Sequence, residues 1–201
     1  MQTKRILIVA VGGQGNVLAA RILGEAAAAA GIMPRMSEFH GMAQRGGVVE
    51  SMVLLGDGSG YCIADGETDI LLGFEPAETI RAAKKCGSNS VIITNIAPQP
   101  PFTVATGQAD YPDISSAMAK LAGRVRRLIA FDAASSALRV GSPLALNMVM
   151  LGALAGSGEM DVPPEKFRNA IKDKTKASFV GVNLEAFELG AEAAGEKRST
   201  L

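Results

Sequence analysis

Apolar runs alternate with helix-like segments along much of the chain. Lys4–Val11 is a continuous, β-branched run that ends at glycine, which is typical of a strand buried on both faces. Residues 16–30 have helical composition and stop at Gly31, a residue that often ends helices. The same pattern predicts further strands at residues 32–37, Val48–Leu55, 69–74, 90–95 and 127–132.

The second half of the chain has a more helical pattern. Helices are predicted at residues 76–85, Ile114–Ala122, 133–140, 143–155, 163–172 and 176–194. Buried strands that alternate with helices are typical of an α/β domain. We therefore expect one domain over residues 1–194, a Rossmann-like three-layer α/β/α sandwich with a mostly parallel sheet and a helical C-terminal part. The polar residues 195–201 are predicted to form a disordered tail.

Composition narrows the classes of function. The chain has 201 residues, 48% of them apolar and 20% charged, so it can bury a core without disulfides or metals. Its 20 Lys and Arg balance its 20 Asp and Glu, which leaves no bulk charge to attract nucleic acid or an anionic membrane. Arg21 and Glu25 interrupt the most apolar window, residues 17–32, and mark it as a packed helix rather than a membrane span.

The cysteine content indicates which metal sites the chain can form and in which cellular compartment it is expected. Cys62 and Cys86 are the two cysteines, and they lie outside any C-x-x-C spacing. Two thiolates are too few for a [4Fe–4S] cluster or a structural zinc, so we expect this chain to hold neither by itself. The low cysteine content, with an N-terminus that lacks the pattern of a secretion signal, predicts a cytoplasmic protein.

A glycine-rich turn joins the first predicted strand to the first helix. Gly12, Gly13 and Gly15 surround Gln14 at the place where a doubly wound sheet presents backbone N–H groups to an anion. The dinucleotide fingerprint G-x-G-x-x-G fits in part, because Leu18 stands at its third glycine. Two interpretations stay open: a stand-alone nucleotide- or dinucleotide-binding protein, acting as a sensor or an oxidoreductase, and a loop that docks a partner subunit or its cofactor.

The sequence Gly56-Asp57-Gly58 follows a predicted strand and matches the start of a thiamine diphosphate signature. That signature needs the Asp and a downstream pair of Asn residues to hold Mg²⁺. Asn89, the asparagine nearby, is single and lies beyond the next strand and helix. Because an octahedral ion needs more oxygen ligands than these residues supply, we interpret the motif as a turn.

Residues 38–47, EFHGMAQRGG, form the most unusual segment of the chain. The segment is polar, glycine-rich and aperiodic, which predicts a loop at the carboxyl end of a strand, where ligands bind in open α/β sheets. Glu38, His40 and Arg45 are its candidates for polar contact with a ligand. Arg45 suits a carboxylate or a phosphate, and Glu38 lies about as far from the glycines as a ribose-binding acid does.

Three motifs stand in order along the chain: GGQG at residues 12–15, E-x-H-G-M-x-Q-R-G-G at residues 38–47 and D-I-L-L-G-F-E-P-x-E-x-x-R at residues 69–81. Together they resemble the gamma-type domain of the 2-oxoacid:ferredoxin oxidoreductases. The motifs fall within residues 4–85, and the general layout of that domain extends to about residue 190.

The resemblance implies a holoenzyme that decarboxylates an aryl 2-oxoacid such as indolepyruvate, passes the electrons to ferredoxin and transfers the acyl group to coenzyme A. Thiamine diphosphate, Mg²⁺ and [4Fe–4S] clusters would be carried by an alpha subunit, and this chain would bind none of them alone. The chain would dock on that subunit and help to enclose its active site, and it would be inactive in isolation. Whether the isolated chain forms a homodimer stays open.

The resemblance also implies a set of site residues. The cofactor-binding or partner-facing residues would be Gly12, Gly13, Gln14, Gly15, Gln44, Gly46, Gly47 and Glu75. Glu38, His40 and Arg45 would be the candidates for direct contact in catalysis.

Overall fold

The computed structural model describes residues 3–40, 47–100, 104, 106–107 and 110–196, and it has a six-stranded sheet at its centre. The strands follow the spatial order β2-β3-β1-β4-β5-β6. Their bounds are β1 Lys4–Val11, β2 Pro34–His40, β3 Val48–Leu55, β4 Thr68–Gly73, β5 Cys86–Asn95 and β6 Arg127–Phe131.

Five strands of this sheet run in one direction and β3 runs in the other. Strand β1 pairs in parallel with β4, as β4 does with β5 and β5 with β6, whereas β3 is antiparallel to both of its neighbours. The prediction of a mostly parallel sheet is confirmed. As a result β1, β2, β4, β5 and β6 all end at one edge of the sheet, which we call the carboxyl edge, and β3 begins there.

Helices cover both faces of the sheet, as predicted for a three-layer sandwich. Their bounds are α1 Asn16–Ala29, α2 Pro76–Ala82, α3 Ile114–Ala122, α4 Ala133–Arg139, α5 Leu146–Gly156, α6 Pro164–Lys174 and α7 Val180–Glu196. Buried residues of α1, α4, α5, α6 and α7 share one apolar core with the sheet, and buried residues of α2 and α3 share the other. Within the described part of the chain, no helix is long and apolar enough to span a membrane.

Helices α5 and α7 pack backbone to backbone. A Cβ placed on Gly152 would lie 1.9 Å from the carbonyl oxygen of Phe187, and one on Gly190 would lie 1.8 Å from that of Val149. Since these distances are far below van der Waals contact, a glycine is required at each crossing point. The glycines therefore fix how closely the two helices approach.

Several predicted boundaries differ from the structure by a few residues, and four of them have a clear structural basis. Strand β2 continues through Glu38 to His40, which were expected in a loop, because its last residues pair with Val49 and Glu50 of β3. Strand β5 begins at residue 86 rather than 90, and the helix expected over residues 76–85 becomes 3₁₀ at residue 83. Helix α7 runs to residue 196, past the predicted start of the tail, since the fully buried Ala194 anchors its last turn. Residues 197–201 lie outside the described residues.

Candidate functional site

The three motifs that the sequence singles out meet at the carboxyl edge of the sheet. The glycine turn follows β1, the end of β2 and the start of β3 flank residues 41–46, and Glu75 follows β4. The N–H of Gly12 donates to the carbonyl oxygen of Gly47 over 2.8 Å, which joins the first motif to the second. Gln44, Arg45 and Gly46 lie outside the described residues, and so does the side chain of His40.

Two glycines of the turn have backbone conformations that other residues rarely adopt. Gly13 has φ of 104° and Gly15 has φ of 80°. A Cβ on Gly13 would meet no atom within 4 Å, so the backbone there is open to an approaching molecule. A Cβ on Gly15 would lie 2.4 Å from Nδ2 of Asn147, which donates to the carbonyl oxygen of Gly15 over 3.4 Å. The glycine at position 13 thus leaves the backbone accessible at the surface, and the glycine at position 15 leaves room for the Asn147 side chain to pack against the turn.

The buried side chain of Gln14 stabilises the glycine turn through hydrogen bonds. Its Oε1 accepts the N–H of Val11 over 2.8 Å. Its Nε2 donates to Oε1 of Gln99 over 2.9 Å and, at 3.4 Å, to the carbonyl oxygen of Phe74. Gln14 therefore links the ends of β1, β4 and β5, and its amide is committed within the chain.

Asn16 ties the start of α1 to the sheet. Its Nδ2 donates to the carbonyl oxygen of Val49 over 2.7 Å and to that of Ile8 over 3.2 Å. The side chain is buried, and its Oδ1 has no hydrogen-bond partner among the described residues. Because Val49 belongs to β3, Asn16 holds the glycine turn against the strand that follows the second motif.

Glu75 is a fully buried carboxylate between β4 and α2. Its Oε2 accepts the N–H of Glu78 over 2.9 Å and so caps α2. Its Oε1 accepts the N–H of Gln99 over 3.3 Å and the hydroxyl of Tyr111. Burial and this bond to Glu75 raise the pKa of Tyr111 well above its ordinary value. The resemblance places Glu75 among the cofactor-binding or partner-facing residues, whereas in the structure its carboxylate is buried and accepts hydrogen bonds from internal donors.

Glu78 and Arg81 form an ion pair on α2. The Glu78 side chain is buried, the Arg81 side chain is 61% exposed, and Nη1 of Arg81 lies 2.5 Å and 2.6 Å from the two carboxylate oxygens. Burial raises the pKa of Glu78, although the nearby Arg81 opposes this shift. Glu50 and Glu75 lie close enough to add to the rise. At the carboxyl edge, the exposed guanidinium of Arg81 therefore lies beside a group of acidic residues, Glu50, Glu75 and Glu78.

Asn95 and Tyr111 belong to this edge, and sequence reasoning missed both. The buried Asn95 donates through Nδ2 to the carbonyl oxygens of Phe74 and Ala97, both at 3.0 Å, and accepts the N–H of Ala133 over 3.1 Å. A polar residue at the end of the apolar run SVIITN could have revealed Asn95, since strand ends form the site in such sheets. No pattern marks Tyr111, which lies in a stretch without periodicity.

The structure argues against the dinucleotide interpretation. In the dinucleotide-binding fold the ribose-binding acid ends the strand next to β1. Here Glu38 lies on the edge strand β2, and the antiparallel strand β3 separates it from β1. The side chain of Glu38 is therefore one strand further from the glycine turn than that role requires.

The thiamine-like motif lies at the opposite edge of the sheet. The hydroxyl of Thr3 donates to the carbonyl oxygen of Asp57 over 2.9 Å, next to the end of β3 and the start of β1. Across residues 3–40, 47–100 and 110–196, no group of three or more His, Cys, Asp or Glu side chains is arranged to hold a metal ion. Cys62 is exposed and Cys86 is half-buried. These residues do not fit the ligand set of an iron–sulfur cluster or of Mg²⁺ with a diphosphate.

Comparison with known proteins gives consistent results. The family model of pyruvate ferredoxin/flavodoxin oxidoreductase matches residues 5–193. The chain is 40% identical over 191 residues to indolepyruvate oxidoreductase subunit IorB of Methanothermobacter thermautotrophicus. The aligned region covers 95% of this chain and 97% of that protein. It is 37% identical to the IorB subunit of Archaeoglobus fulgidus, with 92% of each chain covered.

The fold is similar to that of a solved gamma subunit. The keto/oxoacid ferredoxin oxidoreductase gamma subunit from Geobacter sulfurreducens PCA matches with a TM-score of 0.69 and 25% identity, over 95% of this chain and 98% of that one. The match therefore covers nearly the whole of both chains. The chain therefore belongs to the pyruvate ferredoxin/flavodoxin oxidoreductase family and is a subunit of a 2-oxoacid:ferredoxin oxidoreductase.

Proposed function

We propose that this chain docks on an alpha subunit that carries thiamine diphosphate, Mg²⁺ and [4Fe–4S] clusters, and that it helps to enclose the active site there. The observation that carries the proposal is the convergence of three separate sequence motifs at one edge of the sheet. The bond from Gly12 to Gly47 joins the first two of them. Motifs far apart in sequence that meet on one surface indicate a shared contact.

The substrate is indolepyruvate or another aryl 2-oxoacid. The relatives that match over nearly the whole chain are named indolepyruvate oxidoreductase subunits, which supports this assignment. The complete reaction converts the 2-oxoacid anion, coenzyme A and two oxidised ferredoxins into acyl-CoA, carbon dioxide, one proton and two reduced ferredoxins. When bound to the alpha subunit, thiamine diphosphate supplies the decarboxylation and the clusters supply the electron transfer.

This chain contributes a shaped and rigid wall to that site. The backbone at Gly13 is open to an approaching group, while Gln14 and Asn16 hold the turn in place from below. Glu75 fixes α2 and the segment that contains Gln99, and these contacts order the surface before the partner binds. A preformed wall excludes water from an active site and lowers the entropic cost of docking.

Residues of the second motif are our candidates for contact with the substrate or the cofactor. We assign Arg45 to an anionic group, because a guanidinium binds carboxylates and phosphates in a bidentate manner. Glu38 and His40 are the other candidates for polar contact. Gln44, Gly46 and Gly47 complete the segment that faces the partner.

Reconstitution tests this proposal. The purified alpha subunit is assayed for reduction of a viologen dye with indolepyruvate and coenzyme A, with and without this chain. We expect little turnover from either subunit alone and full turnover from the mixture. In the mixture, Arg45→Ala and His40→Ala should each lower turnover while the thermal unfolding of the isolated chain stays unchanged. Unchanged turnover in both variants would remove the second motif from the site.

The choice of substrate needs its own assay. The reconstituted enzyme is compared on indolepyruvate, phenylpyruvate, phenylglyoxylate and pyruvate at equal concentrations. We expect the highest kcat/KM with an aryl 2-oxoacid. A higher kcat/KM with pyruvate would contradict the proposed substrate class and leave the docking proposal standing.

A further inference from the structure

A cleft of about 300 Å³ lies between α1, α5 and the connection from α6 to α7. Leu144 and Phe179 form its outer walls, and Leu18 and Met148 also line it. We call it the Leu144–Phe179 cleft. It lies outside the three motifs described above.

The outer walls of the cleft expose large apolar side chains. Leu144 is 76% exposed and Phe179 is 51% exposed, each in a short 3₁₀ segment. Each segment is closed by a backbone bond, from the N–H of Ala145 to Ser142 over 3.0 Å and from the N–H of Phe179 to Lys176 over 2.8 Å. Ordered apolar side chains that border a cleft are characteristic of a surface that another molecule covers.

The charges around the cleft are positive. Lys174 and Lys176 line it, and no acidic side chain among the described residues does. Nζ of Lys174 lies 2.7 Å from Oε1 of Glu25, whereas Lys176 has no ion pair within the described part of the chain. The first turns of α5 and α7, which contribute lining residues, contain no acidic residue to offset the positive ends of these helices. A surface complementary to the cleft would be apolar and would carry carboxylates.

Asn147 connects this cleft to the glycine turn. It lines the cleft, and its Nδ2 donates to the carbonyl oxygen of Gly15. The cleft therefore adjoins the carboxyl edge, where the proposed function places the alpha subunit. A single partner surface can cover both.

We propose that the Leu144–Phe179 cleft receives an apolar side chain of the alpha subunit that is flanked by Asp or Glu residues. This inference rests on the proposed function, since it names a second contact of the same docked complex. A small anionic ligand fits the chemistry of the cleft less well, because a molecule inside it would leave Leu144 largely in water. A polypeptide surface covers the cleft and its outer walls together.

The test measures the Kd of the full-length chain for the purified alpha subunit. Leu144→Ser and Phe179→Ser should each weaken binding tenfold or more, while Leu144→Met should retain it. Met33→Ser is the matched control: Met33 is 64% exposed, but it lies at the opposite edge of the sheet, where its carbonyl oxygen accepts the N–H of Gly56 at the end of β3. We expect that variant to bind as the wild type does. Equal thermal unfolding of all variants excludes a folding defect.

Salt tests the charged part of the inference. Wild-type binding should weaken as the salt concentration rises, because exposed charges are screened. Lys176→Ala should weaken binding at low salt and show a smaller salt dependence. Equal salt dependence in the wild type and in Lys176→Ala would overturn the assignment of carboxylates to the partner.

The outcomes separate the two proposals. If the wild-type chain binds the alpha subunit and both serine variants bind equally well, the inference fails and the proposed function stands. If the wild-type chain has no affinity for the alpha subunit, the proposed function fails and the inference with it. Loss of self-association in the serine variants, with partner binding unchanged, would assign the cleft to a homodimer contact. Saturable binding of indole-3-acetate that the serine variants abolish, again with unchanged partner binding, would assign it to a small ligand.

Discussion

Asn147 donates its side-chain amide to the carbonyl oxygen of Gly15 across 132 residues of sequence, over 3.4 Å. Gly15 has φ of 80°, and the nearest atom to a Cβ built on it would be the same amide nitrogen, at 2.4 Å. The start of α5 is therefore packed against the backbone of the glycine turn. This contact fixes the turn relative to the helical layer and places the Leu144–Phe179 cleft beside it.

Alanine substitutions at two glycines separate backbone strain from packing. Gly13→Ala introduces a side chain at positive φ with free space around it, and should lower the free energy of unfolding by about 1–3 kcal/mol. Gly15→Ala adds a clash with Asn147 and should cost about 1–3 kcal/mol more. Urea unfolding of the isolated chain measures both values. Equal losses would mean that Asn147 yields without cost.

Glu75 should dominate the stability of the carboxyl edge. Glu75→Ala removes the cap of α2 and the acceptor of the Tyr111 hydroxyl, which leaves buried donors unsatisfied, so we expect a loss of about 3 kcal/mol. Tyr111→Phe removes one hydrogen bond and should cost about 1 kcal/mol. Tyr61→Phe is the control, since Tyr61 is 58% exposed. A loss in Glu75→Ala no greater than in Tyr111→Phe would show that Glu75 supports only the tyrosine.

Because α5 packs closely on α7, we expect alanine substitutions at two glycines of α7 to change the stability by different amounts. Gly190→Ala places a methyl group 1.8 Å from the carbonyl oxygen of Val149, so α5 and α7 must separate. We expect a loss of stability of about 3 kcal/mol or more, at the upper end of overpacking costs. Gly181→Ala, also in α7, meets no atom within 4 Å and should be neutral or stabilising by up to about 1 kcal/mol. Thermal unfolding of both variants checks the difference, and similar Tm values would contradict the packing described here.

The two cysteines should react at very different rates. Burial raises the pKa of Cys86 to about 11, although a hydrogen bond with Ser90 opposes this, whereas Cys62 is exposed. The thiolate is the reactive form, so at pH 7.5 a maleimide should modify Cys62 first. The rate at Cys86 should rise about tenfold per pH unit up to its pKa.

Peptide mass spectrometry over a pH series follows each cysteine separately. Cys62→Ser supplies the control, because it removes the fast reaction and leaves the slow one. Fast labelling of Cys86 at pH 7.5 in that variant would contradict its burial.

The inner strands of the sheet were largely predictable from the sequence because most of their residues are buried. Lys4–Val11 and Val48–Leu55 have the predicted bounds, since mostly apolar segments that end at Gly12 and Gly56 mark where these strands stop. Glu38 and His40 were assigned to a loop because local composition there is polar. Pairing with β3, a contact between distant residues, extends the strand instead.

The site was predictable only at the level of motifs. The glycine turn was identified by residue type and position and Glu75 by the family resemblance, and the structure brings them to one edge. Their partners Gln99, Tyr111 and Asn147 were missed, because each contact joins segments that no local pattern relates. Burial of Glu75 also depends on these distant donors, so the sequence could not distinguish a surface carboxylate from an internal one.

The rate of 2-oxoacid-dependent dye reduction by the alpha subunit, measured at rising concentrations of this chain, tests the central claim most directly. A rate that starts near zero, rises with added chain and reaches a plateau is the result expected for a subunit that completes its partner's active site. An alpha subunit that is fully active by itself, or turnover by this chain alone, would contradict the claim.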